Sequence, residues 1–148
     1  MSKKIIMKKL GISFLTWRRW LQKGYARYGI TLKQYSLLGT LSRKEYLHPS
    51  DIAEQLFCDR PTATVILTNM EKSGWLIRER DPDNGKRQRI YITDAGRQKK
   101  EEIASDPEKP ENAFDPEACF TEEEREIFIR LLDKLEKHLS HLPEPSGK

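Results

Sequence analysis

Apolar residues recur at spacings of three and four from Leu10 through Phe14, Trp17, Leu21 and Tyr25, with Trp20 and Tyr28 on a neighbouring line. That period predicts an amphipathic helix over residues 8–27. Gly24 and Gly29 weaken its end. Thr31 and Gln34 form a Thr-x-x-Gln capping box, which opens a second helix over 32–43 with Leu32, Tyr35, Leu38 and Leu41 inside. Residues 46–48 have room only for a short strand before Pro49. Ser50 is the expected cap of a helix over 51–57. A turn at Phe57 to Asp59 separates it from a helix over 61–73, which Gly74 stops.

The period then changes. Residues 75–81 and 88–92 read as strands, the second alternating polar and apolar side chains. Asn84-Gly85 between them is a hairpin signal, because both residues tolerate positive φ. Thr93 caps a helix over 94–105. Residues 106–119 carry three prolines and several acids and are expected to be an exposed linker rather than an element. Thr121 and Glu124 repeat the capping box, and the helix over 122–141 is expected to bury Phe128, Leu131, Leu132, Leu135, Leu139 and Leu142. Its opening Glu122, Glu123 and Glu124 suit the positive end of the helix dipole, and Pro143 ends it.

The predicted class is mainly α with a small antiparallel β wing, and the middle of the chain is a winged helix-turn-helix. Ile52, Leu56, Cys58, Ala63 and Ile66 fall where two crossed helices need apolar contacts, and Ala53 where they approach closely. The second helix of such a pair enters the major groove of double-stranded DNA. Its exposed positions are Thr62, Thr64, Val65, Thr68 and Asn69, with Arg60 and Pro61 at its start. The hairpin carries Lys86 and Arg87 to the tip of a ribbon, where cations reach phosphates or a narrow minor groove. Arg78, Arg80 and Arg89 on the wing strands are open to two readings, phosphate contact or pairing with Glu79 and Asp81.

Three blocks are more specific than a lone helix-turn-helix. They are Asp51-Ile52-Ala53-Glu54-Gln55-Leu56, then the run Met70 to Asp83 containing Ser73-Gly74-Trp75-Leu76 and Asp81-Pro82-Asp83, then Arg89-Ile90-Tyr91-Ile92-Thr93-Asp94-Ala95-Gly96. Across them, and over roughly residues 8–142, the chain resembles the MarR family of bacterial transcription regulators. The resemblance implies one domain over 1–148, with dimerisation helices at about 8–45 and 120–142 and a DNA-binding lobe at about 46–96. It implies a homodimer on a pseudo-palindromic operator, repression as the commoner mode, and release by a small molecule or an oxidation. An aromatic or phenolic effector between the dimer helices and the lobe would meet some of Trp17, Trp20, Tyr25, Tyr28 and Tyr35, although core packing and dimer contacts also explain such stripes.

The chain departs from the family pattern at three places. Phe57 stands where the helix-turn-helix turn commonly has glycine, so either the turn is shifted or Phe57 packs. The wing's usual Asp-x-Arg is Asn84-Gly85-Lys86, leaving the arginine's role to Arg87 one place along. The recognition helix lacks an internal arginine, so readout leans on hydroxyls and thymine methyl contacts.

Charge sharpens the picture less than placement does. The net charge of +4 divides into +10 over residues 1–50, +2 over 51–100 and −8 over 101–148. The contact segment is nearly neutral in sum, and the two ends are expected to complement each other in the dimer. No apolar run approaches the roughly 18 residues of a membrane span, and a cytoplasmic location is expected. Cys58 and Cys119 are far apart, so neither a zinc ribbon nor a disulfide framework is expected. A buried thiol at Cys58 outweighs a redox switch. His138 and His141 have no third ligand by spacing, and neither a metal nor a cofactor is expected. The rival is a winged helix used as a protein-interaction module, which an apolar recognition face would favour. An enzyme has no support, since no Gly-rich phosphate loop, metal motif or nucleophile elbow is present.

Overall fold

The computed structural model describes residues 4–145 and Gly147. The elements run α1 (Ile5–Ala26), α2 (Leu32–Leu41), α3 (Pro49–Gln55), α4 (Arg60–Lys72), β1 (Leu76–Arg80), β2 (Gln88–Ile92), α5 (Asp94–Ala104), α6 (Pro110–Ala113) and α7 (Glu122–Leu139). They fall into two compact units, residues 1–113 and 114–148.

In the first unit one core gathers Leu21 and Tyr25 of α1, Leu37, Leu38 and Leu41 of α2, Ile52 of α3, Leu67 and Met70 of α4, and Leu76, Ile90 and Ile103. The Thr31–Gln34 box forms as its spacing predicts, with each partner satisfying the other's backbone N–H. The strands pair antiparallel, Leu76 opposite Ile92 and Arg80 opposite Gln88. Leu47 adds a single bridge to Ile90, so the expected short strand is one residue of pairing.

Helix α3 starts earlier than expected. Its N-cap is His48, not Ser50, with Pro49 at the start of the helix, where a missing N–H costs nothing. The Asp51 carboxylate accepts the His48 backbone N–H at 3.1 Å. The hairpin stands where Asn84-Gly85 puts it, but neither residue takes a positive φ. The Asn84 carbonyl instead accepts the Arg87 N–H at 2.9 Å, and the Arg87 carbonyl accepts the Asp81 N–H at 2.9 Å.

Part of the segment after α5 departs from the linker expectation: residues 110–113 form an element, while 111–119 are exposed as expected. Its short helix α6 buries Pro110 against Gly24, where any Cβ would overlap the proline ring. Gly24 is thus a close-approach site, and helix propensity alone missed it. The Tyr25 hydroxyl donates to Glu111, Tyr28 to Asp106, and Arg27 to the Glu108 carbonyl. These bonds tie residues 106–111 to the end of α1.

In the second unit, α7 carries its expected capping box. None of its residues is buried within the chain, a correction to the burial expected there: Phe128, Leu131 and Leu142 are exposed, and Leu132, Leu135 and Leu139 half-buried. Phe120 stacks on Phe128 with centroids 5.5 Å apart. On α1, Ile5, Ile6, Met7, Ile12, Phe14 and Leu15 are likewise exposed, Phe14 against expectation. Among the described residues no helix is long and apolar enough to cross a membrane.

Candidate nucleic-acid interface

Two helix ends build the helix-turn-helix. The Phe57 N–H donates to the Glu54 carbonyl and the Cys58 N–H to the Ala53 carbonyl, both at 3.1 Å, which is a Schellman closure of α3. Such a closure needs a left-handed residue, and Phe57 supplies it at φ 50°. The turn is therefore not shifted, and Phe57 does not pack within the chain, its side chain being 93% exposed. Gly74 plays the same part at the end of α4, at φ 78°.

Helix α4 starts from Asp59, whose carboxylate accepts the Thr62 N–H at 2.7 Å. The Thr62 side chain first, then this backbone N–H, hold the Asp59 carboxyl below the usual carboxylate range. Ala63, Leu67 and Met70 face the core. Pro61, Thr62, Thr64, Val65 and Asn69 are exposed and Thr68 half-buried. Cys58 is half-buried against the core and Cys119 exposed.

A cleft of about 500 Å³ opens between α4, the start of α3 and the wing. Arg60 and Thr64 line it from α4, Arg80, Lys86 and Arg87 from the wing, and His48 from beneath. Arg60, Arg80, Lys86 and Arg87 are all exposed, and none makes an ion pair with another described residue. Four uncompensated cations around an open cleft make a local positive field that the near-neutral segment sum conceals.

Asp81 organises the wing base. Its carboxylate accepts the Asp83 N–H at 2.9 Å and faces Arg89 Nη2 at 3.2 Å and His48 Nε2 at 3.6 Å. The Asp83 N–H first, then Arg89 and His48, hold the Asp81 carboxyl below the usual carboxylate range against the opposing effect of burial. Arg89 also reaches Asp83 at 2.9 Å and lies over the Tyr46 ring, 4.2 Å from its centroid. Of the two readings open for Arg89, the structure shows pairing, with Asp81 and Asp83 and without Glu79. Its guanidinium is not among the groups lining the cleft. Arg78 grips Glu71 at 3.1 and 3.2 Å and donates to Thr68 Oγ1 at 3.3 Å, so it ties β1 to the recognition helix.

The sequence leaves Arg80 open between phosphate contact and pairing and does not single out His48. In the fold Arg80 stands opposite Gln88, the last pair before the hairpin loop, which puts it on the cleft. His48 had no local signal, because its partners Gln88 and Asp81 are distant in sequence.

The aromatic residues of the front divide. Tyr25 is fully buried and packs on Tyr35 at 4.9 Å and Tyr28 at 6.2 Å between centroids. Trp17 and Trp20 stack on each other at 5.1 Å. Among the described residues no group of three or more His, Cys, Asp or Glu side chains is placed to hold a metal.

Comparison with known proteins agrees with this geometry. The MarR family model matches residues 30–87. The HTH-type transcriptional regulator PecS of Dickeya dadantii is 32% identical over 126 residues, which cover 82% of this chain and 74% of that protein. The fold matches AbsC, a MarR family transcriptional regulator from Streptomyces coelicolor, with a TM-score of 0.80 at 17% identity, covering 95% of this chain and 96% of that one. It also matches Bordetella bronchiseptica BpsR, whose DNA binding is regulated by 6-hydroxynicotinic acid, with a TM-score of 0.75 at 17% identity over 92% of this chain and 96% of that one. The chain is a member of the MarR family of winged helix-turn-helix transcription regulators.

Proposed function

We propose that this protein is a cytoplasmic, homodimeric repressor that binds a pseudo-palindromic operator and is released by a small aromatic or phenolic effector. The observation that carries DNA binding is the cleft edged by Arg60, Arg80, Lys86 and Arg87 beside an exposed recognition helix. Phosphates enter the cleft, which fixes register, and α4 lies in the major groove. Dimerisation is supported by the apolar residues that α1 and α7 each leave exposed. Two copies then place their recognition helices about 34 Å apart, one helical turn of DNA. The regulation of BpsR by 6-hydroxynicotinic acid supports a small-molecule effector, and the Trp17–Trp20 stack offers an aromatic surface for one. Catalysis forms no part of this reading.

Selection of bound sequences from a random duplex pool tests it. The purified protein is expected to recover a palindrome with half-sites about one turn apart, resistant to excess competitor DNA. Recovery of no sequence, or shifts abolished by any competitor, would favour a protein-interaction module.

A further inference from the structure

We infer that Val65 is a specificity-determining residue that reads a thymine methyl group in the operator half-site. The inference rests on the DNA-binding reading above. Val65 lies two residues from both Ala63 and Leu67, about 200° round the helix from each. Those two are buried, so Val65 stands at the middle of the outward face and is 59% exposed. A β-branched apolar side chain there has no packing role within the chain and lowers helix propensity.

Its neighbours fix what that face can offer. The Thr64 hydroxyl donates to the Arg60 carbonyl at 2.9 Å, so its one proton is spent and its oxygen can only accept from outside. The Thr68 hydroxyl accepts from Arg78, which leaves its own proton free to donate to a base-edge acceptor such as thymine O4 or a purine N7. Asn69 is exposed and can pair with adenine N6 and N7. The arginines lie elsewhere: Arg60 lines the cleft toward the wing, and Arg78 is held by Glu71. The bidentate guanidinium contact that reads guanine is thus absent from the middle of this face among the described residues. An apolar group at its centre has one distinctive partner in the major groove, the C5 methyl of thymine.

Replacing thymine by deoxyuridine removes only that methyl. With the selected operator, single dT→dU replacements are scanned by fluorescence anisotropy. One thymine per half-site is expected to cost about fourfold in affinity on replacement, the worth of one buried methyl-sized group. In Val65→Ala, which is expected to keep the wild-type circular dichroism because the position is exposed, dT and dU are expected to bind alike at that position. Neutral dU replacements throughout the wild-type scan, or a Val65→Ala protein that still distinguishes dT from dU, would overturn the inference. A pool that yields no operator at all would overturn the DNA-binding reading itself, and this inference with it.

Discussion

Arg89 and Asp81 meet at the base of the wing, guanidinium to carboxylate at 3.2 Å, with side chains only 15% and 6% exposed. Arg89 is therefore a strut that holds the hairpin carrying Lys86 and Arg87. Arg89→Ala is expected to loosen the wing while the helical core stays folded. DNA affinity should fall by about tenfold, the scale of one lost charge-assisted contact. Lysine should rescue only part of it, because a compact ammonium cannot stack on the Tyr46 ring as the planar guanidinium does. Backbone amide exchange across 81–89 checks the cause, since faster exchange confined to the wing is expected.

The same carboxylate makes the wing acid-sensitive. Its pKa is lowered in the folded state, so its contribution is present above the ordinary Asp value and lost as pH falls through the depressed folded value. Wing amides are expected to lose protection in acid before the core does, and Asp81→Asn should remove that early step.

Phe57→Gly is expected to stabilise the protein by about 1 kcal/mol. The left-handed backbone costs a β-carbon residue roughly 1–2 kcal/mol, and glycine's extra chain entropy returns part of it. The phenyl ring is almost wholly exposed, so little burial is lost. Urea unfolding measures the change, and destabilisation would mean that the ring packs on a second molecule.

Gly96→Ala should do the opposite. A Cβ there would overlap the Trp75 carbonyl oxygen and press on Ile92 Cγ1 at 2.9 Å. A cost of about 1–3 kcal/mol follows from overpacking at a backbone contact, read as a lower Tm.

These sites show what the sequence made legible. Gly96 and Gly74 stood in family blocks, and periodicity together with cap and stop residues placed every helix except α6. Caps at Thr31, Thr93 and Thr121 needed only local spacing and formed as read. What escaped were contacts between residues far apart in sequence. Pro110 looked like a linker proline because its partner Gly24 is 86 positions away. Ser50 looked like a cap because the bond from Asp51 to the His48 N–H leaves no residue pattern beyond a common acid. Arg80, Arg87 and Arg89 are chemically alike in sequence, and only the fold separates two that face the cleft from one spent on Asp81.

Whether the cleft between α4 and the wing holds DNA phosphates is read most directly from the salt dependence of operator affinity. Wild-type binding is expected to fall steeply with ionic strength, and Arg87→Ala should weaken binding to operator and unrelated DNA alike. Its slope of log affinity against log salt should be shallower by about 0.9, the signature of one phosphate contact removed. An Arg87→Ala protein with unchanged affinity and unchanged slope would mean that the cleft holds no phosphate at Arg87.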